Sequence, residues 1–171
     1  EDLKAAPSLV HRYPDRVLLW VTDRCASYCR FCTRKRMVGQ GPTPSLEDVA
    51  QGVDYVARTP SVRDVVLSGG DALLLEDDKL AEVVARLRAI PHVDIIRVAT
   101  RMVSFAPMRI TSALVDALKP FQPVYFLLHF NHPAELTPDV QKALSRLADA
   151  GFPLLNQAVL LKGINDSAET L

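Results

Sequence analysis

The chain has 171 residues, 49% of them hydrophobic and 23% charged, which suits one globular domain with a sizeable core. Twenty basic and twenty acidic side chains give a formal net charge of zero, a balance that argues for neither nucleic acid nor an anionic membrane as partner. No apolar run nears the ~20 residues that span a bilayer and no signal peptide pattern is present, so the expected location is cytoplasmic.

In chain order, residues 1–16 read as a lead-in segment and residues 17–171 as the core domain. An apolar run over 17–21 predicts a first strand, and a loop with all three cysteines follows it. Ser45, with Asp48 three residues on, caps a predicted helix whose stripe is Leu46, Val49, Val53 and Val56. Residues 65–68 predict a second strand ending in Ser68-Gly69-Gly70-Asp71, and Leu80, Val83, Val84 and Leu87 mark a second helix. A third strand over 95–99 ends at Thr100-Arg101. Thr111 then caps a helix carrying Leu114, Val115 and Leu118, stopped by Pro120. A fourth strand over 124–128 ends at His129. Thr137, Pro138 and Gly151 bound a fourth helix, and residues 154–161 predict a fifth strand.

The strands are near-continuous in Val, Leu and Ile, as expected of parallel strands covered on both faces. From the second strand on they recur roughly every 30 residues, the length of a βαβ unit. The fold class is therefore α/β, and either an open doubly wound sheet or a barrel satisfies the pattern. No G-x-G-x-x-G follows the first strand, which removes the dinucleotide-binding fingerprint. Beyond Gly163, Asn165-Asp166-Ser167 looks like the start of another helix. With Glu1 in place of an initiator methionine and the chain stopping at Leu171, the sequence reads as a piece of a longer protein.

Three cysteines crowded into eight residues do not make a disulfide framework. Cys25-Ala26-Ser27-Tyr28-Cys29-Arg30-Phe31-Cys32 has the spacing C-x3-C-x2-C. Three thiolates can hold three irons of a [4Fe–4S] cubane and leave the fourth without a protein ligand, open to a substrate or cofactor. A structural zinc site is the alternative, but zinc sites usually add a second, distant pair of ligands, and no further cysteine exists.

With Phe31 before the last cysteine, this motif resembles the signature of radical S-adenosylmethionine (SAM) enzymes. The run His11-Arg12-Tyr13-Pro14-Asp15-Arg16-Val17 adds to the likeness, as do Thr22-Asp23-Arg24 before the motif and Thr33-Arg34-Lys35-Arg36 after it. Val65-Val66-Leu67-Ser68-Gly69-Gly70-Asp71-Ala72-Leu73, His129-Phe130-Asn131-His132-Pro133 and Asn156-Gln157 extend it along the chain. Together they resemble the lysine 2,3-aminomutase family, which includes glutamate 2,3-aminomutases. The resemblance implies a partial (βα)6 TIM-like barrel, here about five βα units. It also implies SAM at the open iron, reductive cleavage to a 5′-deoxyadenosyl radical, and amino-group migration in an amino acid carried on pyridoxal phosphate (PLP).

Ligands of parallel α/β folds sit at the carboxyl ends of the strands, where the unusual polar residues of this sequence gather. Gly69-Gly70 allows close backbone approach and positive φ, so amides there can face a charged ligand, although the pair can also be a plain turn. The resemblance assigns SAM contacts to Phe31, Ser68, Gly69, Gly70, Asp71, His129 and Gln157. Gln157, inside an apolar strand, needs a hydrogen-bond partner, and so does His129. Arg34 matches the arginine that holds the substrate carboxylate, while Lys35 and Arg36 suit charge balance and His132 a structural role. Arg12, Tyr13 and Arg16 match a PLP phosphate site, but the same run can cap the barrel bottom.

The family's PLP-binding lysine and substrate-selecting acidic residues lie further downstream, and none of Lys4, Lys35, Lys79, Lys119, Lys142 or Lys162 takes that lysine's place. PLP is thus expected only in a longer chain, and the missing last barrel strand leaves an edge open to association. The expected partners are an amino-acid substrate, an electron donor such as flavodoxin or ferredoxin, and further copies in the full-length protein. The other readings are an aminomutase acting on lysine in a translation factor, and a non-catalytic iron–sulfur or metal-binding scaffold.

Overall fold

A computed structural model describes residues 3–170, so residues 1, 2 and 171 of the expected domain spans lie outside the described residues. Seven strands form one sheet whose order follows the chain. They are β1 (Leu3–Ala6), β2 (Leu9–Tyr13), β3 (Arg16–Thr22), β4 (Asp64–Gly69), β5 (Ile95–Thr100), β6 (Val124–Leu128) and β7 (Leu154–Asn156). β1, β2 and β3 pair antiparallel, and β3 through β7 run parallel. The helices are α1 (Leu46–Ala57), α2 (Asp77–Arg88), α3 (Met102–Phe105), α4 (Ser112–Leu118) and α5 (Pro138–Asp149). β1 and β7 are the two edges and do not pair, so the sheet is an open wall of a TIM-like fold.

α1, α4 and α5 start where their capping residues predict. The Ser45 hydroxyl accepts from the Asp48 amide at 3.1 Å while the Asp48 carboxylate accepts from the Ser45 amide at 2.9 Å, a reciprocal capping box. Thr111 and Thr137 accept from the amides of Leu114 and Val140 in the same way.

Burial alternates along β3, β5 and β6, while β4 between them is buried at every residue but Val66. Val17, Leu19, Val21, Ile96, Val98, Val124, Phe126 and Leu128 are buried in the core with Val49, Val53, Leu80, Val84, Leu114 and Leu147 of the helices. Their neighbours Leu18, Trp20, Val66, Ala99, Tyr125 and Leu127 are only half-buried. This corrects the expectation of strands covered on both faces: helices cover one face, and the other is the inner face of a wall that does not close. Composition misses this because an inner barrel face is as apolar as a buried one.

Two further corrections concern the ends of the sheet. The lead-in segment before β3 carries β1 and β2, with β1 paired to β2 and β2 to β3. β7 stops at Asn156 rather than reaching residue 161, and Gln157 lies beyond it, exposed. β7 pairs through Leu154, Leu155 and Asn156 with β6 alone, so the ladder ends where β6 does. The turns around residues 162–170 hold no helix among the described residues.

Candidate active site

The carboxyl ends of β3, β4, β5, β6 and β7 surround one cleft of about 240 Å³. Cys25, Cys29 and Cys32 line it, with Phe31 and Arg34 from the same loop, Ser68 to Asp71 at the end of β4, and Thr100 and Arg101 at the end of β5. His129 after β6 and Gln157 after β7 complete the rim. All the residues expected to contact the cluster, SAM or the substrate carboxylate therefore border one space.

The Gly69-Gly70 turn shows why the loop can sit there. Gly69 has φ +113°, and a Cβ on it would overlap the Thr22 carbonyl; a Cβ on Gly70 would overlap the Arg24 carbonyl. Both glycines are required by close backbone approach, but the partner is the chain itself. The Gly70 amide donates to the Thr22 carbonyl at 2.6 Å and the Asp71 amide to the Arg24 carbonyl at 2.8 Å. Of the amides expected to face a charged ligand, that of Gly70 is taken by the chain itself, and with the Asp71 amide it holds the cysteine loop against β4.

Asp71 is likewise an internal tie. Its carboxylate accepts from the Thr100 hydroxyl at 2.7 Å, the Arg101 amide at 2.7 Å and the Leu73 amide at 3.0 Å. Burial pushes its pKa up, against the pull of those hydrogen bonds. The carboxylate thus joins the end of β4 to the end of β5 beneath the cleft.

The cysteines are free thiols, each partly accessible. Burial pushes the Cys25 thiol up to about 11, with Asp71, Cys32 and Cys29 adding to the shift and Arg34 opposing it. Arg34 is half-buried; desolvation lowers its pKa, the Cys32 and Cys25 thiolates oppose this, and its buried Nη1 has no hydrogen-bond partner. Arg101 donates through Nη1 to the Cys29 sulfur at 3.1 Å, and its guanidinium lies 4.6 Å from the Phe105 ring centre and 5.2 Å from that of Phe31. Phe31 also packs on His129, with ring centres 5.3 Å apart. Burial lowers the His129 pKa, and Arg101 acts in the same direction.

Several buried polar atoms here have no partner in the chain: Arg34 Nη1, Arg101 Nε, His129 Nε2, Asn131 Nδ2 and Glu135 Oε2. Buried polar groups ordinarily find partners, so a cluster of orphans on residues in and around one cleft is what a polar ligand site leaves behind. Among the described residues, no three His, Cys, Asp or Glu groups converge on a point that one metal ion could occupy. Three thiols on one cleft with no fourth cysteine in the sequence suit three irons of a cubane better than a four-ligand tetrahedral zinc.

Some expected residues stay outside. Arg12 and Tyr13 end β2 and Arg16 opens β3, roughly 20 Å along the strand from the cysteine loop. There the Tyr13 ring lies 6.0 Å and 5.9 Å from the Arg12 and Arg16 guanidinium carbons, and Arg16 pairs with Asp15 at 2.8 Å. Exposed His132 accepts from the Ala134 amide and caps the 3-10 turn Pro133–Glu135. Reasoning from sequence misses Asn131 and Glu135 and treats Arg101 as rim only. The available signal was Arg101's place at a strand's carboxyl end, beside Thr100.

A sequence profile for the radical SAM superfamily matches residues 20–171. The chain is 52% identical over 166 residues to an L-lysine 2,3-aminomutase of Fusobacterium nucleatum, covering 96% of this chain and 39% of that protein. It is 51% identical over 166 residues to the L-lysine 2,3-aminomutase of Clostridium subterminale, covering 96% and 40%. A glutamate 2,3-aminomutase of Clostridioides difficile is 46% identical over 162 residues, covering 94% and 38%. The chain thus spans about two fifths of the length of these relatives. With the profile running from Trp20 through the cysteine loop to the last residue, the chain belongs to the radical SAM superfamily.

Proposed function

We propose that the chain forms the SAM-cleaving part of a PLP-dependent amino-acid 2,3-aminomutase, with lysine or glutamate as the substrate class. The observation that carries this reading is the meeting of three free thiols, the Phe31–His129 aromatic wall and orphaned Arg34 and His129 nitrogens in one cleft. When bound, a [4Fe–4S] cluster with one iron free of protein ligands supplies an electron to SAM and yields a 5′-deoxyadenosyl radical.

The chain's own part is to bind and orient. Cys25, Cys29 and Cys32 hold the irons, and the Gly69-Gly70 turn fixes their loop. Phe31 and His129 give a flat wall for a base or methyl group, and neutral His129 can share a hydrogen bond through Nε2. Ser68 and Gln157 add polar groups on two further sides. Arg34, with Nη1 open, is the anchor for a carboxylate. No lysine lines the cleft, so these residues do not fit the amine that PLP requires, and the PLP-dependent half falls to residues outside it. Arg12, Tyr13 and Arg16 remain candidates for the PLP phosphate only away from this rim. An external one-electron donor is required by the same reading.

Anaerobic reconstitution with iron and sulfide tests it. A brown protein with about four irons per chain, releasing 5′-deoxyadenosine from SAM under reductant, is the expected result. Replacing any one of the three cysteines by alanine abolishes both. One zinc per chain with no iron uptake overturns the reading.

A further inference from the structure

Arg101 is held by its backbone, by two rings and by two polar partners. Its backbone amide donates to Asp71, its guanidinium lies against the rings of Phe105 and Phe31, and its Nη2 pairs with Glu135 at 3.4 Å. Its side chain is only 17% exposed and Glu135's only 23%. A flexible, four-torsion side chain is thereby fixed in one orientation, with Nη1 3.1 Å from the Cys29 sulfur. The cysteine loop contributes the sulfur and one ring, while the guanidinium and the other ring come from the segment after β5, 72 residues along the chain from Cys29.

We infer that Arg101 is a positioning residue that donates to the Cys29 thiolate and raises the reduction potential of the cluster the three cysteines hold, an inference that rests on the cluster reading above. Reduction adds one negative charge to the cluster and its thiolates. A cation with an N–H aimed at a ligating sulfur stabilises the more negative state more than the less negative one. Hydrogen bonds to the sulfurs, net charge and exposure are the levers by which a protein sets such potentials. Arg34 acts on Cys32 and Cys25 through its charge, but its buried Nη1 makes no hydrogen bond to the chain, whereas Arg101 aims an N–H at a ligand sulfur. The step is a single electron transfer: dithionite is oxidised, the cluster is reduced, and no bond to the protein forms or breaks.

The test is a redox titration followed by electron paramagnetic resonance, on wild type, Arg101→Gln and Arg101→Lys, each reconstituted with iron and sulfide and without SAM. Arg101→Gln loses the charge. It is expected to lower the reduced-to-oxidised ratio at fixed potential about tenfold, which is about 59 mV for one electron. Arg101→Lys keeps the charge but loses the planar fork, and its potential falls between the two. An Arg101→Gln potential equal to wild type at equal iron content overturns the inference and leaves the cluster reading intact. If Arg101→Gln loads too little iron to titrate, Arg101→Lys decides: a wild-type potential there overturns the inference. A wild type that takes up no cluster removes both readings together.

Discussion

His129 shows how one side chain can take its properties from several elements. It leaves β6 at the rim, packs on Phe31 of the cysteine loop, and feels Arg101 from the segment after β5. Burial is the largest cause of its lowered pKa, the Arg101 charge adds to it, and Asn131 and Glu135 oppose it. The imidazole is therefore neutral at pH 7, and below its ordinary value of 6.5 the unfolded chain takes up this proton before the folded one does. Its contribution to stability is thus present above pH 6.5 and is lost as pH falls toward the folded pKa. A proton NMR titration of the metal-free protein should give a His129 midpoint below 6.5, and His129→Gln should flatten the fall in melting temperature over the same range. A midpoint at or above 6.5 contradicts this account. The cysteines were legible in sequence because their chemistry lies in residue type and spacing. Arg101 was not, because its role depends on which strand ends meet around the loop.

Among the elements, β4 and β5 are joined by more than their ladder. Asp64 opens β4 and accepts from Arg97 of β5, Nε to Oδ1 at 3.0 Å, with a second bond from Nη2. Asp64 is 6% exposed and Arg97 25%, so the pair is mostly removed from water and its loss leaves a charge stranded on the half-open face. Asp64→Ala is expected to cost about 3 kcal/mol, the lower end for a broken buried pair because Arg97 keeps some access to water. Urea denaturation measures it. Asp64→Leu combined with Arg97→Met should cost less than the sum of the two single changes. A paired acid and base on neighbouring strands carry no sequence signal without the register. Helices α1, α4 and α5 were readable from cap and stripe, since Ser45, Thr111 and Thr137 act on amides three residues away. Strands β1 and β2 were not, because Leu3–Ala6 and Leu9–Tyr13 are short and gain their order by pairing, β2 onto β3 and β1 onto β2.

At the scale of the molecule, the sheet is a wall with two free edges. No helix among the described residues is long and apolar enough to cross a membrane. β7 is such an edge. It pairs with β6 on one side only, Leu155 is 41% exposed, and Leu160 and Ile164 just beyond it are 70% and 54% exposed. An unpaired edge strand next to exposed apolar side chains is a template for association. The same edge adjoins the cleft, because Gln157, Ala158 and Val159 line it immediately after β7. Whatever pairs with β7 therefore also settles the far wall of the site, through Val159, whose amide already donates to Asn131 beside His129 at 2.8 Å. A protein made of these 171 residues is expected to show concentration-dependent association in sedimentation velocity. Leu160→Lys with Ile164→Lys should shift it toward monomer, because like charges then face one another across the contact. A monomer at every concentration, in both proteins, contradicts this account of the edge.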